Sequence, residues 1–175
     1  MTESLEIRES DAGDRAAIDA LYTAAFPEED LLSLIADLLG RPDDVLSLVG
    51  LVGTEMVGHG IFTTCAVSGG DYRVALLGPL AVAPARQGQG TGTRIVRAGL
   101  QRLAGQGFSR VYVLGDPAYY RRFGFAPDAG VVPPCPIPSE WRGAWQSLGL
   151  GGNDQCLTGT LVVPRPWQRP ELWAP

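Results

Sequence analysis

The chain is poor in the residues that build disulfide frameworks and metal centres. Its 175 residues include three cysteines, Cys65, Cys135 and Cys156, and a single histidine, His59. An odd number of cysteines without metal-type spacing excludes a disulfide framework and fits a reducing compartment. One histidine with no Cys/His cluster leaves nothing to hold zinc, so no metal is expected. No apolar run reaches the roughly 18 residues of a membrane helix. The first residues are acidic and lack an apolar stretch, so no signal peptide is expected. Basic residues are the minority, 14 Lys+Arg against 19 Asp+Glu for a net charge of −5. That balance argues against nucleic acid or an anionic membrane as the main partner. The hydrophobic content of 45% and charged content of 19% are those of a globular chain. At this length one domain buries about 70% of its unfolded surface. The expectation is a cytoplasmic protein whose residues 1–175 form a single domain.

Glycine is what the chain has in quantity, and its densest cluster lies in the stretch from Leu76 to Leu103. An apolar strand (Leu76, Leu77, Leu80, Val82) passes through a turn at Pro84 into the loop Gln87-Gly88-Gln89-Gly90-Thr91-Gly92. A helix is expected to open at about Gly92. Glycines let the backbone approach a ligand closely, and successive N–H groups in such turns form a nest for phosphate oxygens. The first amides of the following helix and its positive dipole end face the same place. A P-loop would need a Lys directly after the glycines, and none follows. The dinucleotide fingerprint would need a third glycine where Ile95 stands.

Around this stretch the periodicities read as follows. Leu5 and Ile7 suggest a short strand, and Asp11 with Asp14 stands at capping-box spacing. Ile18, Leu21, Tyr22, Ala25 and Phe26 mark one helix face, and Leu31, Leu34, Ile35 and Leu38 a second, stopped by Gly40. Val45–Val52 and Met56–Val67 read as a hairpin turning at Gly53-Thr54-Glu55, followed by a strand at Arg73–Val82. The helix after the glycine loop turns Ile95, Val96, Gly99, Leu100 and Leu103 inward and leaves Arg94, Arg97, Gln101 and Arg102 solvated. Arg110–Leu114 reads as a buried strand, and Asp116-Pro117 as the cap and first residue of a short helix ending at Gly124. Prolines at 127, 133, 134, 136 and 138 make a regular sheet unlikely over 126–156. There Trp141 and Trp145, four apart, would share a helix face and anchor the loop. Cys156–Val163 alternates as a last strand.

Val82-Ala83-Pro84 followed by Gln87-Gly88-Gln89-Gly90-Thr91-Gly92 resembles the acyl-CoA signature of the GNAT superfamily of N-acyltransferases. The order of strands and helices resembles that fold over most of the chain. The resemblance implies an α/β (α+β) domain with a mixed, mostly antiparallel central sheet flanked by helices. Its core would span about 3–125 plus a C-terminal strand at about 156–164, with 126–155 as a proline-rich loop. It also implies an N-acetyltransferase that moves an acetyl group from acetyl-CoA to an amine in a ternary complex. The alternative on the same fold is a non-catalytic acyl-CoA-binding or sensing module. Leu80, Ala81 and Val82 would pair with the pantetheine arm, while Gln87, Gly88, Gln89, Gly90, Thr91 and Gly92 would hold the pyrophosphate. Tyr120, in Tyr120-Arg121-Arg122-Phe123-Gly124-Phe125, resembles the family tyrosine that lies near the CoA sulfur, which makes it the expected general acid, with Tyr119 as its register rival. Where many members carry an Asn before that tyrosine, this chain reads Leu114-Gly115-Asp116, and that contact is not carried over.

No general base stands out. Glu28, Glu29 and Asp30 lie at the break between the first two helices, where acids also suit a helix N-terminus. Asp116 is accounted for as a cap, and a water chain is an equal alternative. A His59–Cys65 nucleophilic pair is unsupported, because six residues of strand span about 20 Å. Both read as packing residues. The amine acceptor is left unidentified, and a homodimer is the default for a soluble oligomer.

Overall fold

A computed structural model describes residues 4–152 and 155–174. The ends of the expected 1–175 domain, including Glu3 at the start of its core, and residues 153–154 of the expected loop lie outside the described residues. The chain folds as two compact units. The first comprises residues up to Phe62 together with Gly78–Gly99, and the second Thr63–Leu77 together with residues from Leu100 onward. The class is that expected, helices with a mostly antiparallel sheet.

In the first unit, β1 (Leu5–Glu9) pairs antiparallel with β2 (Val45–Val52), from Leu5↔Val52 to Glu9↔Leu48. β2 neighbours the first half of β3 (Glu55–Val67), which neighbours the second half of β4 (Val74–Val82). Helix α1 (Arg15–Ala25) buries Ile18, Leu21 and Tyr22, and α2 (Leu32–Leu39) buries Leu34, Ile35 and Leu38, on the stripes their spacing requires. Before α1, Asp11 and Asp14 form the expected capping box on a 3-10 turn, and Arg8 grips the Asp14 carboxylate with two hydrogen bonds of 2.8 and 2.9 Å.

Helix α3 (Thr91–Gly105) is seated by glycines. A Cβ on Gly50, Gly58 or Gly60 would lie 3.3, 2.6 or 3.1 Å from a side-chain carbon of Ile95, so three strand positions are bare where that side chain rests. Gly99 is bare because the Phe62 ring occupies the place of its Cβ. This close packing fixes the N-terminus of α3.

In the second unit, β5 (Arg110–Leu114) runs parallel to Val74–Leu77 of β4 and antiparallel to β8 (Trp145–Gly149). β6 (Ala126–Pro127) extends β8 on its other side. β9 (Gly159–Val162) pairs with Ala66 and Val67 of β3 and with β7 (Val131–Val132). The short helix α4 (Pro117–Tyr120) follows β5.

Four expectations are corrected here. The stretch 126–155 is not a loop alone: β8 is paired over five residues with β5, from Arg110↔Gly149 to Leu114↔Trp145. Its prolines sit before the strand and do not interrupt its ladder. Trp145 therefore belongs to that strand and Trp141 to a separate 3-10 turn, Ser139–Ala144, so they share no helix face. The last strand is shorter than read, and the core continues past it. Trp167 and Trp173 are buried, joined by an indole N–H to carbonyl bond of 2.9 Å, and Trp173 packs on Trp145 with ring centroids 5.8 Å apart. Arg102, expected in solvent, is half-buried, and its Nη1 is buried without a hydrogen-bond partner among the described residues.

Candidate active site

The loop after β4 is held by its own backbone and side chains. The Ala83 amide donates to the Val57 carbonyl at 2.9 Å, and Pro84–Arg86 makes one 3-10 turn. The Gln87 and Gln89 carboxamides donate back to the carbonyls of Val82 and Ala85, at 3.3 and 3.4 Å. Gly88 and Gly90 have φ of +76° and +83°, which side-chain-bearing residues adopt only under strain. A Cβ at either would meet nothing within 4 Å, so the loop is open on that side. The Gly90 carbonyl accepts from the Arg94 amide at 3.0 Å. Helix α3 thus starts at Thr91, one residue earlier than expected, and the amides of Thr91 and Gly92 precede its first turn of internal bonds. Thr91 itself is buried against Gly58.

The strand leading into this loop has an open side. The ladder to β5 covers only Val74–Leu77 and leaves Gly78–Val82 as the edge of the first unit. Leu80 and Val82 are half-buried and Ala81 is buried. An edge of this kind presents main-chain donors and acceptors to an extended ligand. The expected donor-site residues therefore form one continuous strand, loop and helix start.

Tyr120 belongs to the second unit, at the end of α4. Asp116 caps that helix through Oδ1, which accepts the Ala118 amide at 2.9 Å, and the segment closes at Gly124 with φ +100°. Asp116 acts as the cap the sequence implied. The Tyr120 ring stands edge-on to Tyr119 and Phe125 at 4.9 and 5.7 Å, and a Cβ on Gly115 would collide with it. Burial raises the Tyr120 phenol above the ordinary tyrosine value, so it stays protonated at neutral pH. Its hydroxyl has no hydrogen-bond partner among the described residues. Tyr119 is engaged instead by Arg122, whose guanidinium lies 4.2 Å over its ring.

His59 and Cys65 each have partners of their own and form no pair. Cys65 donates to the Thr63 carbonyl at 3.4 Å, and burial pushes its thiol up to about 12, which leaves no thiolate at neutral pH. His59 is more than a packing residue. Its Nδ1 lies 2.8 Å from the Tyr22 hydroxyl and its Nε2 lies 2.8 Å from Ser47 Oγ, which meets Ser10 Oγ at 2.7 Å. The Tyr22 hydroxyl also reaches the Pro79 carbonyl at 3.3 Å, one residue before Leu80. Burial holds the His59 imidazole neutral, with its pKa lowered to about 4 even though Asp14 pulls the other way. Sequence reasoning missed this chain because its members come from four separate segments.

Two pockets flank the chain. One of about 380 Å³ lies along the α1–α2 connection, lined by Tyr22, Phe26, Glu28, Glu29 and Asp30 among others. The other, about 610 Å³, is lined by Ser10, Ser47, Glu9, Asp11 and Arg15 among others. Among the described residues no group of three or more His, Cys, Asp or Glu is placed to hold a metal. No described helix is long and apolar enough to cross a membrane.

A glycine-lined helix start at the end of an open strand edge is the architecture of a site for an extended, phosphate-bearing ligand. The family described as Acetyltransferase (GNAT) family matches over residues 14–125, and the chain belongs to that family. It is 37% identical over 166 residues to the uncharacterized N-acetyltransferase YjhQ of Escherichia coli, covering 90% of this chain and 91% of that protein. The crystal structure of the GNAT N-acetyltransferase YhbS from Escherichia coli, in complex with CoA, superposes with a TM-score of 0.87 at 29% identity, covering 97% of this chain and 94% of that one. A GNAT acetyltransferase from Brucella melitensis in complex with acetyl-CoA gives 0.73 at 30% identity, covering 94% and 98%. The GNAT fold expected from the sequence is thereby established.

Proposed function

We propose that the protein transfers an acetyl group from acetyl-CoA to a primary amine by direct attack on the thioester. The observation that carries this reading is the loop at Gly88 and Gly90, two left-handed positions open to solvent at the start of a 15-residue helix. In this reading the amides of Thr91 and Gly92, with the loop backbone, hold the pyrophosphate. The edge-strand backbone of Leu80, Ala81 and Val82 pairs with the pantetheine arm and polarises the thioester carbonyl. A backbone N–H aimed at developing oxyanion charge contributes about 3 kcal/mol. Gln87 and Gln89 shape the loop through their carboxamides and need not touch the ligand. The CoA and acetyl-CoA complexes of the two structural relatives support the choice of donor.

Tyr120 supplies the proton for the departing thiolate. Its raised pKa keeps that proton in place until the C–S bond breaks, and its hydroxyl has no competing partner among the described residues. The acceptor enters at the pocket beside Tyr22, where exposed Glu28, Glu29 and Asp30 favour a cationic amine. The test is release of free thiol from acetyl-CoA across a panel of polyamines, aminoglycosides and peptide amines, with the acetylated product identified by mass. Amine-dependent release supports the reading. Tight acetyl-CoA binding without turnover on any amine would favour a sensing module.

A further inference from the structure

The hydrogen-bonded chain through His59 ends on the strand proposed to pair with the donor. Ser10 Oγ meets Ser47 Oγ at 2.7 Å, Ser47 Oγ meets His59 Nε2 at 2.8 Å, and His59 Nδ1 meets the Tyr22 hydroxyl at 2.8 Å. The Tyr22 hydroxyl in turn meets the Pro79 carbonyl at 3.3 Å. Tyr22 and His59 are 1% and 0% exposed, and their rings pack edge to face with centroids 5.4 Å apart. The hydroxyl is therefore held between α1 and β3.

Counting protons fixes the direction of the chain. Two serine hydroxyls, one tyrosine hydroxyl and a neutral imidazole bring four protons to four contacts. Burial keeps that imidazole neutral. A carbonyl can only accept, so one arrangement alone makes all four bonds. In it Ser10 donates to Ser47, Ser47 to Nε2, Nδ1–H to the Tyr22 oxygen, and Tyr22 to Pro79. The reverse arrangement gives the tyrosine proton to Nδ1 and makes three. In a buried chain the additional bond decides.

The receiving carbonyl belongs to the same peptide unit as the Leu80 N–H. That peptide is trans, so the two groups point in opposite directions. The Ala83 amide faces β3, where it donates to the Val57 carbonyl at 2.9 Å. Strand alternation turns the Pro79 carbonyl to the same side and the Leu80 N–H to the open edge. We propose that Tyr22, oriented by His59, is a positioning residue: by donating to the Pro79 carbonyl it fixes and strengthens the Leu80 N–H as a donor to the thioester carbonyl of acetyl-CoA. A hydrogen bond accepted at a peptide oxygen draws electron density from the peptide nitrogen, and linked hydrogen bonds polarise one another. In this role Tyr22 need touch neither substrate, which suits its burial. The proposal rests on the acetyltransferase reading, in which the Leu80 strand polarises the thioester.

Because His59 is the only histidine, its ring nitrogens can be followed alone by ¹⁵N NMR in the intact protein. The proposal predicts one fixed tautomer at neutral pH, protonated at Nδ1. With acetyl-CoA carrying ¹³C at the acetyl carbonyl, and no amine present, infrared difference spectra should show the thioester band shifted to lower wavenumber on binding. Tyr22→Phe should show a smaller shift. That variant, and likewise His59→Leu, should lower kcat about 10-fold with acetyl-CoA affinity unchanged, less than the roughly 10²–10³-fold lost when an oxyanion donor is deleted outright. A tyrosine that served packing alone would lower stability and leave the band in place. A wild-type ring protonated at Nε2, or the same bound band position in Tyr22→Phe and wild type, overturns the role of Tyr22 and leaves acetyl transfer standing. A wild type that does not bind acetyl-CoA overturns the acetyltransferase reading itself, and this proposal with it.

Discussion

Ile95 occupies the space where Gly58 would otherwise carry a side chain, its Cδ1 lying 2.6 Å from the position of a Cβ there. Thr91 Cγ2 stands 2.9 Å from the same point. One bare strand position thus seats the first turn of α3 and, with it, the loop that the helix follows. Gly58→Ala should therefore lower stability by about 1–3 kcal/mol, the usual penalty of overpacking. It should also weaken acetyl-CoA binding, because one of the two side chains that must give way is Thr91, in the first turn of α3. Denaturant unfolding and ligand titration of the same variant test both.

Gly90 and Gly69 provide a matched pair, with φ of +83° and +80° and open space around each. Alanine at either should cost about 1 kcal/mol or slightly more in backbone strain. Only Gly90→Ala should reduce acetyl-CoA affinity, by about 10-fold or more, since only that glycine lies in the proposed cradle. Equal affinities in the two variants would remove the loop from the binding site.

Tyr120→Phe should lower the single-turnover rate of acetyl transfer about 10²-fold, within the range of general acid catalysis, and leave acetyl-CoA affinity intact. Tyr119→Phe should change the rate little, because Tyr119 is held by the Arg122 guanidinium. A reversal of the two effects would move the acid by one residue.

His59 makes a prediction about stability as well as rate. Its folded pKa is lowered from 6.5 to about 4 by burial. Above about pH 6.5 both states carry a neutral ring, so the group is silent. Between about 6.5 and 4 the unfolded chain binds a proton that the folded chain refuses, and stability falls as pH falls. At about 1.4 kcal/mol per pH unit the loss approaches 3 kcal/mol. His59→Gln should abolish this part of the acid slope when unfolding free energies are compared over that window.

The loop at Gly88 and Gly90 and the helix that follows it were legible in the sequence because their signal is local: glycines two apart, after Pro84 and before a helical stripe. The α1 and α2 faces were legible for the same reason, since Ile18, Leu21 and Tyr22 repeat with the helix. The strand at Trp145–Gly149 was not, because what makes it a strand is pairing with Arg110–Leu114, and the prolines before it hid that partner. Arg102 sat on the polar side of a helical wheel, yet it is half-buried with its Nη1 shut off from solvent, which periodicity within one helix cannot register. The hydrogen-bonded chain through His59 was equally hidden. Ser10, Tyr22, Ser47 and His59 are scattered through the first third of the chain and meet only when strands and helix are assembled.

The most direct measurement of the account is calorimetric titration of acetyl-CoA into the purified protein, with 3′-dephospho-CoA as a comparison ligand. The account predicts one saturable site with a dissociation constant on the order of micromolar, about −8 kcal/mol, weakened in Gly90→Ala and unchanged in Gly69→Ala. Absence of binding at millimolar acetyl-CoA would contradict it, reducing the glycines to a turn and leaving Tyr120 with no thiolate to protonate.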